Sequence, residues 1–122
     1  MKILILEDSQ ERIDSFKENL VDHQVIVTGS TKEAIIKLKT ETWDVLFLDH
    51  DLHGESYIDS GENTGYEVAK FLEENKDRMP RYVIIHSLNP VGSNNMEAAL
   101  PNAVKIPFAW TMAALNKIGL RS

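Results

Sequence analysis

The chain contains no cysteine, which excludes disulfides, thiolate zinc sites and cysteine nucleophiles. Glycine and proline are sparse, 6 and 4 among 122 residues, and no stretch is repeated, low in complexity or linker-like. Basic residues are outnumbered by acidic ones, 13 against 19, for a net charge of −6. A broad grip on nucleic acid needs clustered lysine and arginine to neutralise phosphates, so extended nucleic-acid binding is not expected. A small nucleotide, or a strand end held through one metal ion, remains compatible with that charge. No apolar run approaches membrane-spanning length. The opening MKILILEDS reaches an acidic pair after six residues, too short and wrongly flanked for a signal peptide. These absences predict a cytoplasmic protein with no membrane attachment. What remains, 43% hydrophobic and 26% charged residues, is ordinary globular composition for one domain spanning residues 1–122.

The most informative stretch is Asp44-Val45-Leu46-Phe47-Leu48-Asp49-His50-Asp51-Leu52-His53. A β-favouring apolar run ends abruptly in two carboxylates and two imidazoles. Burying such groups unpaired is costly, but they fit the open carboxyl end of a buried strand, where α/β folds place a ligand crevice. A second acidic pair, Glu7-Asp8, ends a similar run, Ile3-Leu4-Ile5-Leu6. If both strands share one parallel sheet, the acids converge on one pocket, and that pocket needs a cation.

Read in order, residues 2–7 form a continuous apolar strand, as buried parallel strands do. Ser9 then caps a helix running through about residue 21, with Arg12-Ile13, Phe16 and Leu20-Val21 repeating at helical spacing. Residues 24–28 give a second strand, and Ser30 with Glu33 makes a capping-box pattern for a helix facing inward through Ala34, Ile35 and Leu38. The third strand runs to Asp49. Residues 50–64 are rich in glycine and polar groups and long for a strand-to-helix loop, which predicts a lid or substrate-shaping flap. Gly65 opens a helix with Val68, Ala69, Phe71 and Leu72 inward, running to about Arg78. Residues 81–87 form a fourth strand, Ser93 caps a short helix to Ala99 or Leu100, residues 103–106 form a fifth strand, and Pro107 starts a last helix to about Ile118. Trp43 and Trp110 read as packing residues. Five βα units of this size predict a flavodoxin-like (βα)5 three-layer sandwich with a parallel five-stranded sheet of order 2-1-3-4-5. That order makes the first and third strands neighbours at the switch point.

The site residues follow. Glu7, Asp8 and Asp49, with Asp51, are candidate ligands for a hard divalent cation, Mg2+ in the first place and Mn2+ as the alternative. A helix macrodipole explains an acid at Asp8 but not acids at two adjacent strand ends. His50 and His86, beside Asp49, are candidates for acid–base catalysis, and His53 for a ligand contact. Ser87 and Asn89, near a helix start, are placed to hold phosphate oxygens. Lys105 is the lysine nearest a strand end on the crevice side, though strand alternation equally allows it to face solvent. The partner these groups imply is a small phosphorylated ligand or nucleotide; a protein partner or a homodimer is also compatible with such a domain.

Along its whole length the chain resembles the receiver domains of two-component response regulators. Glu7-Asp8 matches that family's acidic pair, Asp49 its phospho-accepting aspartate, Ser87 its switch residue, and Ile106-Pro107-Phe108 its Lys-Pro-Phe. The resemblance implies a magnesium site on the acidic cluster and phosphoryl transfer to Asp49. Three features depart from it: Ile106 stands where the family has lysine, with Lys105 one place off; histidines crowd Asp49; and Gly65 is pushed away by extra residues. Those departures, in LFLDHDLHGE, TGYEVAKFL and IIHSLNPVGSNNM, are similar to the cyclic-phosphate processing branch of bacteria and phages. That likeness implies metal-dependent processing of a cyclic phosphate on a nucleotide or RNA end. The alternatives are a phospho-accepting receiver and a degenerate receiver that only binds a partner.

Overall fold

The structure is a computed structural model describing residues 1–49, 64–86 and 90–106, with 90–93 described by backbone alone. The elements are β1 (Lys2–Leu6), α1 (Gln10–Asn19), β2 (Gln24–Thr28), α2 (Thr31–Thr40), β3 (Val45–Leu48), α3 (Gly65–Glu74), β4 (Tyr82–Ile85), α4 (Pro90–Ala99) and β5 (Val104–Lys105). All pair in parallel, in the order β2-β1-β3-β4-β5. The expected flavodoxin-like architecture holds. The last helix, from Pro107, and the 50–63 part of the expected flap lie outside the described residues.

The strands are apolar without alternation because both sheet faces are covered. Leu4, Leu6, Leu46, Leu48, Val83 and Ile85 pack with Ala34, Leu38, Val68, Ala69, Leu72 and Met96 under α2, α3 and α4. On the opposite face Ile3, Ile5, Val45, Phe47 and Ile84 pack against Phe16 and Leu20 of and beyond α1. Phe16 and Phe47 are both wholly buried with centroids 4.8 Å apart; each such side chain contributes roughly 1.5–3 kcal/mol by burial.

Several local expectations need correction. α1 ends at Asn19, so Val21 falls in the following turn and is 74% exposed rather than in the core. Ser9 is the N-cap, yet its side chain makes no capping bond, whereas Ser30 accepts from the Glu33 amide at 3.3 Å. α3 stops at Glu74 and a separate 3-10 turn carries Lys76–Arg78. β1, β4 and β5 are each shorter than expected, their last residues bonding onward without strand geometry. α4 starts at Pro90, not after Ser93: proline has no amide hydrogen to lose and its fixed φ suits a first helical turn. Trp43 is buried as expected, its indole donating to the Lys37 carbonyl at 3.0 Å.

Candidate functional site

The strand register builds the site. Ile5, Phe47 and Ile84 are paired across β1, β3 and β4 on the α1 face. Side chains alternate with a period of two, so Glu7, Asp49 and His86, two residues further along each strand, fall in the next row on that face. The backbone ladder carries on past the strands: the Glu7, Asp49 and His86 amides donate to the carbonyls of Thr28, Leu6 and Leu48 at 3.0, 3.2 and 2.9 Å. One row of a continuous apolar face is thus replaced by three ionisable side chains, all buried.

Glu7 is held from several sides. Its Oε2 accepts from the amides of Asp8 and Ser9, both at 3.1 Å, and its Oε1 lies 3.0 Å from His86 Nε2. Arg12, in the first turn of α1, brings a guanidinium nitrogen to 3.6 Å from Oε1. Burial alone would push the Glu7 carboxyl up, but the His86 bond, the Ser9 amide and Arg12 together hold it below the ordinary carboxylate range. Burial lowers His86, more than its bond to Glu7 raises it, so the imidazole stays neutral at pH 7. An ionised carboxylate only accepts, which assigns the hydrogen to Nε2. The ring is fixed edge-on by Phe16 at 5.4 Å and Phe47 at 6.3 Å between centroids.

Two glycines set the approaches. A Cβ on Gly65 would sit 2.1 Å from the Asp49 carbonyl oxygen, so only glycine lets α3 begin against the strand end. Whatever the length of the preceding loop, this contact fixes where the loop returns. Gly29 comes close to Asp8, where an added Cβ would lie 3.2 Å from the Asp8 Cβ.

Glu7, Asp49 and His86 each offer one ligand atom, and these lie within 4.8 Å of one another. Ligands about 2.1 Å from an octahedral divalent ion stand about 3 Å apart when adjacent and about 4.2 Å when opposite. The donor set is two carboxylates and an imidazole, oxygen donors being the chemistry of Mg2+ and an added imidazole being compatible with Mn2+. Asp8 is half-buried beside this cluster. His50, Asp51, His53, Ser87 and Asn89 lie outside the described residues. Lys105 belongs to the other face: its Nζ is 2.8 Å from Asn94 Oδ1 and 3.8 Å from Glu97 on α4. The expectations missed Arg12, whose place among the apolar spacings of α1 hid it, and the pairing of His86 with Glu7, which only the register reveals.

The model of the cyclic-phosphate processing receiver domain matches residues 2–102. The chain belongs to that family. No curated protein matches it significantly. Among solved structures, the response regulator TrrA of Thermotoga maritima, in complex with Mg2+-BeF, is 21% identical with a TM-score of 0.69, covering 98% of this chain and 99% of its own. The phosphorylated cyanobacterial phytochrome response regulator RcpA is 19% identical at 0.73, covering 96% and 89%. The receiver domain of the sensor kinase PA1611 of Pseudomonas aeruginosa, with magnesium in its active-site cleft, is 16% identical at 0.69, covering 95% and 91%. At these identities the likeness is one of fold, and the fold is that of a receiver.

Proposed function

We propose that this receiver-like domain is a metal-dependent phosphoesterase that opens a cyclic phosphate on a nucleotide or RNA end. The observation carrying the reading is the row of Glu7, Asp49 and His86, whose mixed oxygen and nitrogen donors lie within 4.8 Å of one another. A bound Mg2+ or Mn2+ would polarise phosphate oxygen and lower the pKa of a water. Glu7 and Asp49 hold the ion, with Asp8 and Asp51 completing its shell. His86 has no exposed surface, so it serves the ion and the orientation of Glu7 rather than touching the phosphate. Proton transfer then falls to His50, while Ser87, Asn89 and His53 orient the phosphate. Lys105 joins them only by leaving Asn94 and Glu97.

The same register weakens the aspartyl-phosphate alternative. The Ile106 amide donates to the Ile85 carbonyl at 2.9 Å, continuing the ladder of Glu7, Asp49 and His86. The row therefore presents an isoleucine where a phospho-accepting receiver has lysine. Phosphorus NMR of the protein with 2′,3′-cyclic nucleotides and Mg2+ or Mn2+ tests the proposal. Ring opening that needs the metal and falls at least about a thousandfold in Asp49→Asn supports it. Turnover retained in that variant contradicts the role of Asp49.

A further inference from the structure

We infer that the chain carries a second ligand site, for a small apolar anion such as an aryl carboxylate, at the sheet edge opposite the acidic rim. It is a cavity of about 360 Å3 between the carboxyl ends of α3 and α4 and the first residues of β4 and β5. Val83, near the start of β4, lines it, whereas His86 follows the end of that strand. Cavity and rim therefore lie at opposite ends of β4, and this site is independent of the cyclic-phosphate reading.

The walls select the ligand. Pro80, Val83, Ala99 and Leu100, all buried, supply apolar surface. Met79, 38% exposed, adds a flexible thioether that can adapt to a ligand's shape. Three lining residues are charged: Glu73, Lys76 and Arg81. Glu73 is already paired with Lys70, and the nearby Asp77 lies by Arg78 at 4.0 Å. Among the described residues no carboxylate pairs with Lys76 or Arg81; Arg81 stands over the Tyr82 ring, its guanidinium carbon 5.2 Å from the ring centre. The macrodipole favours cations at helix carboxyl ends, which accounts for two cations here without any ligand. It does not account for an apolar cavity left open beside them. The volume falls in the range of small-molecule sites, about 300–1,000 Å3. In a chain of net charge −6, a cavity with apolar walls and two unpaired cations suits an aromatic ring against Val83 and Leu100 with its carboxylate on Lys76 and Arg81.

The test is titration of 2-naphthoate into isotope-labelled protein, followed by amide chemical shifts, with 2-naphthylmethanol as the uncharged counterpart. In wild type the shifts should gather at Val83, Leu100, Asn102 and Ala103. Replacing both cations, Lys76→Gln with Arg81→Gln, should weaken naphthoate roughly 10-fold, as expected for two exposed charge contacts, and leave naphthylmethanol unchanged. Both positions are exposed, so the double variant should fold, which thermal unfolding checks. Ala103→Leu, which narrows the cavity, should weaken both compounds. Equal naphthoate binding in wild type and the double variant would overturn the anion assignment. Shifts gathered elsewhere, or none at millimolar naphthoate, would overturn the site itself. Cavity amides that shift with protein concentration alone would mean that a second copy covers this face, which also overturns the inference.

Discussion

The two faces of the sheet are built from the same strands and come to opposite ends. Under α2, α3 and α4 the rows stay apolar to the rim, closing with Leu6, Leu48 and Ile85. Under α1 the apolar rows stop at Ile5, Phe47 and Ile84, and the next is Glu7, Asp49 and His86. On β1, β3 and β4 the face under α2, α3 and α4 is given to packing. The other gives up its last layer, replacing apolar contact with groups that must be paired or desolvated at a cost. That exchange is what marks the candidate site, and it separates the residues that hold the fold from the candidate site residues one position away.

Leu46→Ala breaks the comparison on its packing side and carries the largest stability effect. Removing a wholly buried leucine should cost about 2–5 kcal/mol, measured by urea unfolding, with metal binding kept at temperatures where the variant is folded. Asp49→Asn should do the reverse, keeping most of the stability and losing turnover. Gly65→Ala should harm both faces together. Its Cβ would meet the Asp49 carbonyl at 2.1 Å, and relieving the clash should cost about 3 kcal/mol while shifting Asp49. Amide chemical shifts around Asp49 would show whether the strand end moves.

A smaller effect lies in pH. Unfolded histidine takes up a proton near pH 6.5, while buried His86 resists it. Below about that pH the unfolded chain therefore binds more protons, and stability falls with acid by on the order of 1 kcal/mol per pH unit. Glu7, held below its ordinary value of 4.5, adds a second fall as the pH drops through that region. His86→Gln keeps a donor for Glu7 and should flatten the first fall only. Denaturant melts of both proteins between pH 7 and pH 4 would measure the difference, and identical slopes would remove His86 from the account.

Much of this was legible in the residues. Unbroken apolar runs ending in acids mark β1 and β3, because buried parallel strands leave a strong local signal, and the count of five βα units leads to the strand order 2-1-3-4-5. Extending the strand period by two residues from Ile5, Phe47 and Ile84 would have produced the row itself. The bond between His86 and Glu7 was not legible, since it joins residues 79 apart and exists only once the register is known. Gly65 looked like a helix opener, but what requires it is the Asp49 carbonyl, a contact no local pattern records. The start of α4 was misread because a serine cap was preferred to the proline three residues earlier.

The most direct test of the central claim is calorimetric titration of Mn2+ into wild type, Asp49→Asn and Leu46→Ala. The account predicts one ion per chain in wild type, the same stoichiometry in Leu46→Ala and no measurable binding in Asp49→Asn. Binding of equal strength in Asp49→Asn, or none in wild type, would contradict it.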